Sequence, residues 1–287
     1  MHRERHDARA APSQAGRKLG ALHVVVLGLT VVIGACDEDS TSPPPVLEGR
    51  VVDAAGTPVA GARIGLVYDF SLTSSLGAVS SQSGSSPLER TASPDTVPIP
   101  PLETRLGPTY PNPFQRSMSV ELVVAQAAQV LLGIHDVRGE PVRTLVERDV
   151  PAGVHRIDWD ARDEDGSRVP NGIYTARFSI MRAEEHLPIG EAQLFRNDVD
   201  IADFAQAYHA VTNADGRFSI ALATLPIGQD VTFVDITGGD QGVHTVLATV
   251  LVCAVREEGD TLLKDCADAE LGDLTRSVTV DLQLGQP

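Results

Sequence analysis

The sequence predicts an all-β protein of two β-sandwich modules, the second inserted in a loop of the first, preceded by a signal peptide. Three observations carry this expectation. Between residues 105 and 182 apolar residues fall on every second position, the period of a half-buried strand. Glycine turns such as Asp215-Gly216 punctuate further short apolar segments on both sides of that stretch. The first 35 residues are basic and then apolar, which is the layout of an export signal.

That amino-terminal segment holds Arg3, Arg5, Arg9, Arg17 and Lys18 against Glu4 and Asp7, and its apolar run spans Ala21 to Ala35. Fifteen residues fall short of the roughly twenty that cross a bilayer as a helix, so a cleaved signal is expected over residues 1–35. Ile33-Gly34-Ala35-Cys36 resembles the bacterial lipobox, which implies lipidation of Cys36 and anchoring to a membrane. Each acyl methylene contributes about 0.8 kcal/mol and one chain alone is marginal, so two or three chains hold such a protein almost permanently. Cleavage removes five basic and two acidic residues, moving the formal charge from −16 to −19. A chain so acidic repels phosphate backbones, which speaks against nucleic acid as a partner. Cysteine use also fits export: beyond Cys36 only Cys253 and Cys266 remain, flanking the acidic turn Glu257-Glu258-Gly259-Asp260, and a disulfide closing a hairpin is expected.

Residues 36–45 read as a tether, with the proline-rich run Thr41 to Pro45 unable to form a helix. From Val46 to Tyr68 the order is strand, glycine turn, strand, a hairpin signal. The run Gly49-Arg50-Val51-Val52-Asp53-Ala54-Ala55-Gly56-Thr57-Pro58-Val59-Ala60-Gly61-Ala62-Arg63-Ile64 resembles the opening of the carboxypeptidase regulatory-like domain, a transthyretin-like sandwich. The continuation this resemblance implies lies far downstream, as Thr212 before Asp215-Gly216 with Phe218 and Ile220 pointing inward. The strand Val231 to Val234 and a closing strand Ser277 to Leu284 complete a host module over residues 46–70 and 196–287. Residues 71–104, rich in serine and proline and without a hydrophobic period, read as a disordered linker.

Within residues 105–182 the alternating sets are Val120, Leu122, Val124; Val130, Leu132, Ile134; Ile157, Trp159; and Tyr174, Ala176, Phe178, Ile180. Four segments here resemble, in order, the immunoglobulin-like domain of flagellar hook-capping proteins and of type IX secretion C-terminal sorting domains. They are Tyr110-Pro111-Asn112-Pro113-Phe114, the hairpin Asp136 to Leu145, Pro151-Ala152-Gly153 with Trp159-Asp160, and Asp165 to Tyr174. Sorting domains end their chains, whereas about a hundred residues of host follow this one. Residues 183–195 read as a return linker, and Asn197 to Asp203 as its solvated acidic continuation.

A search for chemistry yields little. His135, His155, His186, His209 and His244 are scattered without metal-ligand spacing, and no His-x-x-Glu motif accompanies the carboxypeptidase resemblance, which concerns an accessory sandwich. Asp160, Asp163 and Asp165 are calcium candidates by composition, but they fail the EF-hand spacing and sit where a turn favours Asp and Gly. No cofactor is expected. The functional expectation is a lipid-anchored, non-enzymatic envelope protein, at the inner or outer membrane, meeting a protein or glycan partner outside the cytoplasm. Its alternatives are a secretion or surface-assembly role through the insert, and a hydrolase with an unrecognised site.

Overall fold

The computed structural model describes residues 43–74 and 103–285, so the signal segment, Cys36 and most of the tether and of the linker lie outside the described residues. No described residue is in an α-helix. The strands are β1 (Val46–Asp53), β2 (Arg63–Ser74), β3 (Arg105–Tyr110), β4 (Met118–Val124), β5 (Ala128–His135), β6 (Pro141–Val150), β7 (Gly153–Trp159) and β8 (Gly172–Arg182). They continue as β9 (Glu185–Arg196), β10 (Ala210–Val211), β11 (Arg217–Ala221), β12 (Asp230–Val234), β13 (Asp240–Glu258), β14 (Thr261–Glu270), β15 (Val278–Thr279) and β16 (Leu282–Leu284).

Strands β3 to β9 form two sheets, ordered β3-β4-β7 and β6-β5-β8-β9. Alternate side chains of both face one core, in which Val120, Leu122, Leu132, Ile134 and Ala176 are fully enclosed. Trp159 lies at its centre between Phe114 and Tyr174, with ring centroids 5.4 and 5.3 Å away, and its indole N–H donates to the Arg162 carbonyl at 2.9 Å. The β5–β6 turn is held by Asp136 Oδ1, which accepts the Arg138 and Glu140 amides at 2.9 Å each.

The remaining strands form a second pair of sheets, β11-β1-β15 with β16 also on β1, and β10-β2-β13-β12 with β14 also on β13. β1 and β2 do not pair as the hairpin signal predicts; they belong to opposite sheets. The connecting segment first folds back on the end of β1, the Val59 amide donating to the Val51 carbonyl at 2.9 Å, and is then held by Thr212, whose Oγ1 accepts the Ala62 amide at 2.9 Å and donates to the Val59 carbonyl at 2.7 Å. Close by, the Asp215-Gly216 turn tucks under β1: the Val51 amide donates to the Gly216 carbonyl at 2.8 Å, and a Cβ on Gly216 would stand 2.4 Å from the Val51 carbonyl oxygen.

Two expected linkers are corrected. β2 continues to Ser74, pairing with β13 through Val243, so residues 71–74 are strand. Residues 183–195, expected as a return linker, instead form the turn into β9 and nearly all of that strand, which pairs antiparallel with β8 from Arg182↔Glu185 to Gly172↔Arg196. Pro188 and the exposed charges of β9 hide its period, and a proline is tolerated there because β9 is an edge strand that need not donate at every position.

Cys253 and Cys266 face each other across the β13–β14 hairpin and are joined by a disulfide with Cα atoms 4.1 Å apart. Replacing both by alanine is expected to lower stability by about 3 kcal/mol, since the bridge closes a loop between residues 13 apart in sequence, which is then freed in the unfolded chain. Urea unfolding of oxidised wild type against the double variant checks this, and equal midpoints would refute it.

Candidate functional site

A group of buried polar side chains lies where strands β3–β9 meet the other sheets. It starts from Asn112 in the loop after β3. Asn112 exchanges backbone hydrogen bonds with Val234 at the free edge of β12, 2.8 and 2.7 Å long. Its side chain donates to the Thr232 carbonyl at 2.9 Å and accepts the Phe195 amide at 2.7 Å. One buried asparagine thus closes the edge of β12 and binds it to β9.

Apolar packing follows the same route. Ile173 of β8 and Phe195 of β9 belong to the core of the outer pair of sheets. Phe195 meets Tyr68 and Phe70 edge-on with centroids 5.7 and 5.1 Å apart, and Phe70 continues to Phe233 at 4.9 Å. The inserted strands therefore complete the other core.

Beneath these rings lies a buried ionic network. Arg196, fully enclosed, donates through Nη1 to Asn171 Oδ1 at 3.0 Å and through Nη2 to Asp198 at 3.4 Å and to Asp203. Arg168 Nε approaches Asp203 at 3.4 Å. The amide of Asn171, itself buried, donates to the carbonyls of Leu66 at 2.8 Å and Asp198 at 2.9 Å, and its Oδ1 also accepts the Asp198 amide. Asn197 pairs in both directions with the backbone of Tyr68. The acidic run from Asn197 to Asp203, expected to be a solvated linker, is corrected: Asp198 is 1% exposed, and Asp203 is spent on two guanidinium groups. Arginine adjacent in sequence draws these carboxylates inward.

His209 lies at the rim of this network, where its Nε2 must carry the proton because it faces the Asn171 carbonyl oxygen at 2.8 Å. Burial pushes His209 down to about 4; the Asn171 carbonyl pulls the other way, and the Arg196 charge adds to the fall. Its Nδ1 is buried without a partner. A cleft of about 260 Å³ opens beside it, lined by Asp136, Arg138, Tyr174 and Tyr208.

The residues singled out from sequence are not gathered at this junction. Asp160 pairs with Arg143 at 3.3 Å and with Arg162 at 3.7 Å, and Asp163 Oδ1 accepts the Ser167 amide at 2.8 Å, so both serve the turn before β8. Among the described residues no three metal-ligating side chains come together, Asp165 included. Cys253 and Cys266 lie in the disulfide described above, and Cys36 lies outside the described residues. Asn112, Asn171 and Arg196 carry no sequence signal of their own, although Asn112 stands in the segment Tyr110 to Phe114 and Asn171 in the segment Asp165 to Tyr174.

Fold and junction define an all-β protein in which an immunoglobulin-like sandwich is built into a second set of sheets. Residues 112–184 match the FlgD Ig-like domain family. The basal-body rod modification protein FlgD of Salmonella typhimurium is 46% identical over 48 residues, 17% of this chain and 21% of that protein. Its namesake in Escherichia coli K12 is 41% identical over 71 residues, 25% of this chain and 29% of that one. The chain thus spans about a fifth to under a third of the length of these curated relatives. Among solved structures, dimeric latent PorU from Porphyromonas gingivalis aligns at TM-score 0.30 and 17% identity, over 33% of this chain and 9% of that one. FlgD from P. aeruginosa aligns at TM-score 0.27 and 17% identity, over 42% and 89%.

Proposed function

We propose that this protein is a lipid-anchored, non-catalytic component of the cell envelope, in which the FlgD-type immunoglobulin-like sandwich serves as a rigid architectural or binding module. The observation that carries this reading is the junction. A module meant to swing on a linker would not place Ile173 and Phe195 in its neighbour's core, nor bury Arg196 between them. A sandwich fixed in this way presents its loops and sheet faces at a constant angle, which suits assembly of an extended structure. The lipobox-like Ile33 to Cys36 supplies the anchor in this reading, and the resemblance of residues 49–64 supports a host of the carboxypeptidase regulatory-like type. The likeness of residues 112–184 to a domain of basal-body rod modification proteins supports a location outside the cytoplasm.

Growth with an alkyne-tagged fatty acid tests the anchor. The wild-type chain is expected to take up label and Cys36→Ser none, with the variant moving from the membrane to the soluble fraction. Label retained by Cys36→Ser would defeat the lipoprotein reading, and peptide or glycan hydrolysis by the purified protein would defeat the non-catalytic one.

The second reading, a secretion or surface-assembly role for the insert, is favoured by the same match at residues 112–184. Removing the insert is a poor test, because the host core would lose Ile173 and Phe195. Charge reversal at exposed positions of β6 and β9, followed by measurement of surface exposure, is the suitable one.

A further inference from the structure

β14 is an edge strand: β13 pairs with one side of it over ten residues, from Glu258↔Thr261 to Thr249↔Glu270, and among the described residues no strand pairs with the other. Such edges are ordinarily blunted by a bulge, a proline or shortness. The other long edges follow that rule. β6 begins on Pro141 and its register with β5 shifts twice, β9 carries Pro188 and a register shift, and Asn112 closes the end of β12. β14 has neither a proline nor a break in register.

The parity of the ladder fixes which backbone groups face outward. The Leu271 amide donates to the Ala248 carbonyl at 2.9 Å, and Cys253 and Cys266, directly opposite each other, have Cα atoms 4.1 Å apart, the close spacing of a pair that exchanges no backbone bonds. Hence Leu262, Lys264, Cys266, Asp268 and Glu270 turn N–H and C=O away from β13, and among the described residues nothing pairs with these groups. The 3₁₀ turn Ile201–Ala205 sits over β2 and β13, inward of this edge. Lys264 and Asp268 are both exposed, and neither side chain has an ionic or hydrogen-bonding partner among the described residues. They stand two places either side of Cys266. An antiparallel copy of β14 centred on Cys266 therefore sets each Lys264 opposite Asp268 of the partner subunit, and each Leu262 opposite Glu270 of the partner subunit. This is the one two-fold register that engages all five outward residues, with about ten backbone hydrogen bonds.

We propose that the β14 edge binds a second copy of this chain, the two strands joining their sheets across a two-fold axis at Cys266, with Lys264 paired to Asp268 of the partner subunit. The edge supplies its own charge complement, which singles out a copy over an unrelated strand, and an interface of this kind closes at two subunits. The formal charge of −16 on each chain opposes association at long range, but at physiological salt screening over about 8 Å confines that repulsion, while charges in contact keep their attraction. The inference uses neither the lipid anchor nor the insert, so its failure leaves the readings above standing.

Sedimentation of the full chain in mild detergent is expected to show a concentration-dependent dimer. Lys264 is the only lysine after Lys18, so a zero-length carbodiimide link reports its neighbours cleanly. A mixture of isotope-labelled and unlabelled chain should give a mixed-isotope peptide joining Lys264 to Asp268; within one extended strand the two lie about 13 Å apart, beyond such a link. Lys264→Asp and Asp268→Lys should each weaken dimerisation at least about tenfold, since like charges then face each other twice. Combined in one chain they should restore it, because the swap returns complementary pairs. Both positions are exposed, so each variant, diluted to monomer, should keep the melting temperature of the equally diluted wild type. A chain that stays monomeric, a dimer linked elsewhere, single variants that dimerise like wild type, or a double variant no better than the singles would each overturn the proposal. Pairing of β14 with a strand of a different protein, without self-association, would overturn it as well.

Discussion

Arg196→Met is expected to destabilise the protein by about 3–5 kcal/mol, the cost of leaving buried carboxylates without their counter-charge. Methionine fills much of the same volume, so the loss reports charge and hydrogen bonding more than a cavity. Asp198 and Asp203 would remain beneath the junction with only Arg168, beside Asp203, and the Asp200 amide, which donates to Asp198 Oδ1, to meet them. Because Asn171 Oδ1 also loses the Arg196 donor, the clamp on the Leu66 carbonyl should loosen, and hydrogen exchange should rise at Tyr68, Phe195 and Asp198 before the rest of either core. Urea unfolding measures the first effect, and exchange followed by mass spectrometry the second. Adding Asp198→Asn and Asp203→Asn should recover much of the loss, since the orphaned charges are then gone. A single-variant loss below about 1 kcal/mol, the range of an exposed pair, would show that the network does not hold the junction.

That network also marks how far sequence reading reaches here. The alternation in β8 is legible because a strand with one buried face writes its burial directly into every second residue; Tyr174 to Ile180 need no other information. The Asp215-Gly216 turn and the Cys253–Cys266 pair are legible for the same reason, since their signals are local. The β1–β2 connection is not. A strand, a glycine turn and a strand describe a hairpin and an arch equally well, and the choice is made by Thr212, 150 residues from the Ala62 amide it accepts. The run Asn197 to Asp203 misleads in a different way, because acidic residues usually face water. What reverses the expectation is one arginine in the adjacent strand end and another near the turn before β8, a tertiary fact without a sequence period. β9 is hidden because an edge strand with a proline and four exposed residues at its start carries no apolar alternation.

The largest steric effect is expected at Gly65 and Phe204, and the two should fail to add. Phe204 sits in the 3₁₀ turn Ile201–Ala205, capped by Asp200, whose side chain accepts the Ala202 amide. Its ring is fully enclosed on the outer face of the β2–β13–β14 sheet, in a small cluster with Cys253 and Val255. The ring lies directly over Gly65, where a Cβ would come within 2.1 Å of Phe204 Cγ. Phe204→Ala should therefore cost about 3–5 kcal/mol through the lost burial and the cavity it leaves. Gly65→Ala in the wild type should also be strongly destabilising, because the added methyl and the ring cannot occupy one place. In the Phe204→Ala background the same Gly65→Ala change no longer meets the ring, and alanine is a better strand residue than glycine by about 0.5–1 kcal/mol. Its sign should then reverse, and a double-mutant cycle should give a coupling of several times the usual additivity error of about 0.3–0.5 kcal/mol. Asp203, one residue before Phe204, bonds Arg196, so loosening the ring should also speed exchange at the junction, and uncovering Cys253 should speed reduction of the disulfide by dithiothreitol. Additive costs in the cycle, with disulfide reduction no faster in Phe204→Ala, would show that the turn merely rests on the sheet; coupling would show that it clamps the junction to it.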